Sequence, residues 1–262
     1  SAVFQDKLNH ASLIDGALHA NAALIRFNHN DMNHLRARLE KSTAQNKLII
    51  SEGVFSMDGD KAPLSELLAL AKQHNAWLMI DDAHGFGVLG KTGLGSCEAL
   101  NTEQLPELLV ITFGKAVASS GACVLGSKHF IDYMLQFNRD YTYSTAMSPL
   151  IAGLTLARIK AIKTADDKRA KLKANISYFK QLAKQHNIAV MESSTAIQPI
   201  VLGCAEHTLN VASKLKKYGV WLTAIRPPTV AHNTARLRIT LSAAHTKHDI
   251  NHLVNSLVGA LV

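Results

Sequence analysis

Lys115 closes the run Leu108-Leu-Val-Ile-Thr-Phe-Gly-Lys-Ala116, where an apolar strand gives way to small residues. An ammonium at the end of a buried-looking strand must be solvated, paired or chemically converted. Burial also lowers a lysine's pKa, and an uncharged amine can attack a carbonyl to form an imine. A second apolar run, Trp77-Leu-Met-Ile80, leads into Asp81-Asp-Ala-His84 and delivers an acid and an imidazole from another strand end. Together these groups suit an enzyme that holds pyridoxal 5'-phosphate (PLP) as an imine. Each also has a plainer reading: the lysine as a solvated edge charge, the aspartate as a turn or cap residue.

The elements that must position these side chains follow from the pattern of apolar residues. Asp31–Glu40 reads as a helix with Met32, Leu35 and Leu39 on one face, and Lys47–Ile50 as a short strand. Pro63 opens a helix whose Leu64, Leu67, Leu68 and Ala71 recur at core-face spacing. Trp77–Ile80 and Leu108–Thr112 are continuous apolar strands of the kind that helices cover on both faces, and Ala122–Leu125 reads as another. That alternation predicts a mostly parallel α/β sheet. A long helix over 148–163 and a second beginning at 164–167 come next. Strands are expected at 189–191, 197–202, 220–223 and 236–241, with a helix over 206–218 stopped by Gly219 and a last helix through Ile250, Leu257 and Leu261. This second half reads as a smaller α+β domain. The expected division is a large domain over 1–147, then a bridging helix and small C-terminal domain over 148–262.

Composition narrows the function classes. With 262 residues, 47% hydrophobic and 18% charged, the chain is globular rather than disordered. No stretch approaches the ~20 apolar residues of a membrane span, and Ser1–Lys7 has no basic-then-apolar signal pattern. Three widely spaced cysteines indicate neither a disulfide framework nor a zinc site, so a reducing cytoplasm is the expected home. The net charge of +8 is dispersed over helix faces such as Lys168–Lys173 and lacks the interleaved aromatics of a nucleic-acid surface.

One motif points elsewhere. Gly85-Phe-Gly-Val-Leu-Gly-Lys-Thr92 matches the G-x-x-x-x-G-K-[ST] phosphate loop, which would make the chain a P-loop nucleotide-binding protein. That motif needs a helix to follow, whereas Gly93 and Gly95 weaken one here, and two acids precede the loop where a polyphosphate would sit. A glycine-rich turn is the expectation. His245, His248 and His252 have helical spacing that could suit a metal, and Asp58-Gly-Asp60 has a fragment of a calcium-loop pattern. Neither has the remaining ligands, so no metal is expected.

Six segments carry a family resemblance: Leu8–Ser12 (LNHAS), Ser51–Asp60 (SEGVFSMDGD), Asp81–Gly85 (DDAHG), Thr112–Ala116 (TFGKA), Tyr143–Thr145 (YST) and Ala224–Val230 (AIRPPTV). In this order the chain resembles the α-oxoamine synthases, PLP enzymes of the aspartate-aminotransferase fold (fold type I). The Ile-Arg-Pro-Pro-Thr-Val segment leans toward the biotin-biosynthesis branch. The resemblance implies a decarboxylative condensation of L-alanine with pimeloyl-CoA or a pimeloyl carrier-protein thioester. Sister enzymes of the aminoketobutyrate-CoA ligase, 5-aminolevulinate synthase and serine palmitoyltransferase types would share the same core residues.

Carried onto matching positions, the resemblance implies that Lys115 binds PLP covalently and then moves the substrate proton. Asp81 would pair with the pyridinium nitrogen, His10 would stack on the ring, Ser56 and His84 would bond its phenolic oxygen, and Thr112 would bind the phosphate. Arg226 would grip the substrate carboxylate, with Tyr143 and Thr229 as further substrate contacts. The resemblance also implies a cytoplasmic homodimer. Family members carry a sizeable region before the Asn-His-Ala-Ser motif, so the chain is expected to be N-terminally incomplete and weak or inactive alone. It also has Val117-Ala118 and Ala231-His-Asn233 where the family commonly has other residues.

Overall fold

The computed structural model describes residues 1–100 and 105–262. Contacts divide them into two units, one of residues 1–55 and 61–166, the other of 56–60 and 167–262.

The first unit begins with strand β1 (Ala2–Asp6), helix α1 (Ala11–His19), β2 (Ala23–Phe27), α2 (Met32–Glu40), β3 (Lys47–Glu52), α3 (Leu64–Gln73) and β4 (Trp77–Asp81). A 3-10 turn at Ser96–Ala99 is followed by β5 (Leu108–Thr112), β6 (Ala122–Gly126), α4 (Lys128–Phe137), α5 (Arg139–Thr142) and α6 (Pro149–Ile162). The six strands form one sheet in the order β2-β1-β3-β4-β5-β6. All neighbours are parallel except β5 and β6, which pair antiparallel with Thr112 opposite Ala122. The expected mostly parallel sheet is therefore present. Its core is made where apolar strand residues meet helix faces: Phe4, Phe27, Ile49, Leu78 and Ile80 from strands, Leu35, Leu39, Leu67 and Leu70 from α2 and α3.

The start of this sheet was not legible in the sequence. β1 is only five residues long, and two of them, Gln5 and Asp6, are polar yet fully buried. Both have partners, though the Gln5 Oε1 is left without one. The Gln5 amide donates to the Leu13 carbonyl at 2.6 Å, and Asp6 accepts the Leu8 and Asn30 N–H groups at 2.8 Å. Helix α1 is capped by His10, whose ring Nδ1 accepts from Ser12 N–H and bonds the Ser12 hydroxyl at 2.8 Å.

The second unit contains α7 (Asp166–Gln185), β7 (Ile197–Gly203), α8 (Ala205–Lys217), β8 (Thr223–Ile225), β9 (Ala235–Thr240) and α9 (Lys247–Leu261). Its antiparallel sheet has the order β7-β9-β8. Leu237 and Ile239 of β9 pack with Ile176, Phe179, Leu215, Ile250, Val254 and Leu257 of the helices. Arg236, on the opposite face of β9, forms a buried ion pair with Asp58.

Two expected strands are corrected. Residues 189–191 form no strand. Ile188 N–H closes α7 on the Ala183 carbonyl after Asn187 takes a positive φ of 54°. Met191 then makes one bond to the carbonyl of Pro199, which has no N–H to return. The strand expected at 220–223 begins at Thr223, because Val220 N–H instead closes α8 on Leu215 after Gly219.

Candidate active site

The carboxyl ends of β1, β3, β4 and β5 lie side by side and point the same way, which is where open α/β sheets bind ligands. Glu52, the last residue of β3, is in register with Asp81, the last of β4. Asp81 is in turn in register with Val110 of β5, two residues before Thr112. His10 follows β1, and Glu52 Oε1 accepts its backbone N–H at 2.5 Å. His10, Asp81, His84, Thr112 and Lys115 thus share one end of one sheet.

Each is held by local chemistry. The His10 ring is exposed and fixed by Ser12. Asp81 is half-buried, and its Oδ1 accepts Ala83 N–H at 3.0 Å. His84 sits half-buried in the turn that follows. The Thr112 hydroxyl is buried with no hydrogen-bond partner, a state that carries a desolvation penalty of about 1–3 kcal/mol unless a ligand relieves it. Lys115 stands in the turn between β5 and β6, where its carbonyl accepts Ala118 N–H at 2.9 Å and Phe113 N–H bonds Gly121 at 2.8 Å. Lys115 is not buried. The residue is exposed, because strand β5 ends at Thr112 and the turn lifts the lysine off the sheet.

The substrate-side residues lie on other elements. Tyr143 follows α5, is 74% exposed, and has the Arg139 guanidinium 5.0 Å from its ring centre. Arg226 and Thr229 belong to the second unit and form one exposed turn, with Thr229 N–H donating to the Arg226 carbonyl at 3.0 Å. Ser56 is buried in the 56–60 segment that groups with the second unit.

Glu52 and Asp82 were assigned no role by sequence reasoning, though both lie inside the recognised segments. Their signal is burial, at 3% and 0% exposure, which an acid tolerates only with partners. Burial pushes the Asp82 carboxyl up to about 6, with Asp81 adding to the rise and hydrogen bonds from Ser96 opposing it.

The glycine-rich segment is not a phosphate loop. It runs through turns into the short 3-10 segment rather than a helix. Its amides are already engaged: those of residues 85–89 donate to backbone carbonyls, Glu98 accepts Thr92 and Leu94 N–H at 2.7 and 2.9 Å, and Asp82 accepts Ser96 N–H at 2.8 Å. A loop whose amides are already engaged cannot cradle an anion. Nor does the histidine set form a metal face. His245 precedes α9 and accepts Ser242 N–H, while His252 bonds the Tyr218 carbonyl. No metal-competent cluster of His, Cys, Asp or Glu occurs among the described residues.

PLP fits these residues. The orphaned Thr112 hydroxyl can meet a phosphate, the Asp81 carboxylate a pyridinium, and Lys115, an exposed residue, an aldehyde.

The comparisons with known proteins point the same way. The model of the aminotransferase class I and II family matches residues 1–257. An 8-amino-7-oxononanoate synthase of Saccharophagus degradans is 51% identical over 258 residues, covering 98% of this chain and 65% of that protein. One from a Marinomonas species is 50% identical, covering 97% and 64%. Among solved structures, a serine palmitoyltransferase of S. paucimobilis with a bound PLP–myriocin aldimine has a TM-score of 0.95 at 30% identity, covering 99% of this chain and 66% of that one. An 8-amino-7-oxononanoate synthase of Francisella tularensis has a TM-score of 0.86 at 29% identity, covering 100% and 75%. The chain spans about 65% of the length of the first of these curated relatives.

Proposed function

The chain belongs to the class I and II aminotransferases, and from that premise we propose that it binds PLP and serves the 8-amino-7-oxononanoate synthase reaction of biotin biosynthesis. The net change joins L-alanine Cα to the thioester carbonyl of pimeloyl-CoA or a pimeloyl carrier protein. The thiol and carbon dioxide leave, and 8-amino-7-oxononanoate remains. The observation that carries this reading is the gathering of a lysine, an acid, two imidazoles and an unsatisfied hydroxyl at one sheet end. Identities of about half to relatives of that name support the choice of substrates.

PLP held there supplies an electron sink for negative charge developing at an amino acid's Cα. Lys115 Nζ would hold the cofactor and would accept and return the Cα proton. Asp81 would keep the ring nitrogen protonated by offering it a carboxylate partner. His10 would offer its ring for stacking, His84 and Ser56 would be donors for the phenolic oxygen, and Thr112 would offer its unsatisfied hydroxyl to the phosphate. Arg226 offers a planar fork to the substrate carboxylate, with Tyr143 and Thr229 as further contacts.

The homodimer belongs to the same reading. Its support is the exposed apolar surface of the first unit, with Tyr133 and Phe137 on α4 and Leu150, Leu154 and Leu156 on α6. A cytoplasmic location belongs to the same reading as an expectation of the family resemblance. No helix among the described residues is long and apolar enough to cross a membrane.

The alternative, a serine palmitoyltransferase-type reaction, is not favoured: that fold superposes with a TM-score of 0.95 but at 30% identity, against about half for the synthases. Incubation with PLP, each amino acid and each thioester, read by mass spectrometry, separates the two. The first reading expects 8-amino-7-oxononanoate from alanine and pimeloyl-CoA. Product formed only from serine and palmitoyl-CoA would contradict it.

A further inference from the structure

The glycine-rich segment that resembles a phosphate loop has a different physical purpose, and it centres on Asp82. This residue is completely buried, and the atoms of its main chain and side chain are all engaged. Its N–H donates to the Val110 carbonyl of β5 at 2.8 Å, and its carbonyl accepts Gly85 and Phe86 N–H at 3.2 and 3.0 Å. Its Oδ2 accepts Ser96 N–H at 2.8 Å and its Oδ1 accepts the Ser96 hydroxyl at 2.6 Å.

Three separate backbones close on that carboxylate. A Cβ at Gly53, just after β3, or at Gly85 or Gly95, at the two ends of the loop, would fall on an Asp82 carboxylate oxygen. Gly95 also has a φ of +97°, which disfavours any side chain. Gly90 is glycine for the same kind of reason, because a Cβ there would meet Glu98. At these four positions glycine is set by two acids, Asp82 and Glu98, not by a phosphate.

We propose that Asp82 is a positioning residue for the cofactor site: it clamps Ser96, and with it the loop over 85–96, so that the turn bearing Asp81 and His84 is held rigidly on the sheet end. This rests on the reading of that turn as part of the PLP site. Asp82 touches no reacting atom. It acts through its neighbours, one residue before and two after, by tying β5, the residue after β3 and the distal end of the loop to a single point.

The substitutions Asp82→Ala, Asp82→Asn and Ser96→Ala separate the clamp from mere bulk or charge. An asparagine retains both bonds, its carbonyl accepting Ser96 N–H and its amide donating to the Ser96 hydroxyl. Alanine at position 82 loses both, and alanine at 96 loses only the hydroxyl bond. The full chain is titrated with PLP by visible absorbance, and amide exchange across 85–96 is measured without PLP.

For Asp82→Ala the expected result is PLP binding at least tenfold weaker, a displaced visible band and at least tenfold faster exchange in the loop. Asp82→Asn is expected within threefold of the parent on every readout, with Ser96→Ala between. A folded Asp82→Ala chain with parental affinity, band and exchange would overturn the proposal, and so would an Asp82→Asn chain as impaired as alanine. Where Asp82→Ala does not fold, unchanged exchange and affinity in Ser96→Ala overturn it equally. Failure of the parent itself to take PLP onto Lys115 would refute the cofactor reading instead, and exchange in the PLP-free variants still decides the clamp.

Discussion

At the residue scale, Thr112 ties stability to binding. Its hydroxyl is buried and unsatisfied, so the folded chain carries a penalty that a phosphate would remove. Thr112→Val replaces the hydroxyl with a methyl of similar size. The PLP-free variant is expected to be at least as stable as the parent, by up to about 1–3 kcal/mol in denaturant titration, while its PLP affinity falls about tenfold. A variant that lost stability and kept its affinity would show that the hydroxyl has a protein partner instead. The residue types at the sheet end were legible because each follows an apolar run that announces a strand end. Glu52 escaped notice because its partner, the His10 amide, lies 42 positions away. Nothing in either local sequence records that pairing.

At the element scale, the acid-cored loop gives a pH signature. The Asp82 carboxyl is raised from 3.8 to about 6, chiefly by burial. Between those values the folded chain binds more protons at this group than the unfolded chain does. Stability from Asp82 is therefore fully present below pH ~4 and declines as pH rises to ~6, by about 3 kcal/mol in total. Asp82→Asn has no such proton to lose. The difference in unfolding free energy between parent and variant is expected to change across pH 4–6 and stay flat above it; a difference constant over the whole range would contradict this.

The same scale explains which elements could be read. β4 and β5 are uninterrupted apolar runs, and the fold class followed from them. β1 was missed because two of its five residues are polar and become buried through specific partners. The strands at 189–191 and 220–223 were misjudged because those backbones close the ends of α7 and α8, a use that apolar composition does not reveal.

At the scale of the whole molecule, the exposed apolar side chains of α4 and α6 carry the largest consequence. Leu150 is 79% exposed and Leu156 55%, so changing them removes little packing from the chain itself. The proposed homodimer uses this surface. Sedimentation velocity is expected to show concentration-dependent association in the parent and a shift to monomer in Leu150→Glu/Leu156→Glu, with the midpoint of thermal unfolding little changed. Association unaffected by the double substitution would move the interface elsewhere.

The central claim is that this sheet end holds PLP through Lys115. The most direct measurement is to mix the chain with PLP, reduce with borohydride, digest and locate the modified lysine by mass spectrometry. The account predicts a visible absorbance band that reduction abolishes, with the pyridoxyl mass on the peptide containing Lys115 and none in Lys115→Ala. A reducible band whose label falls on another lysine, or no label at all, would contradict it.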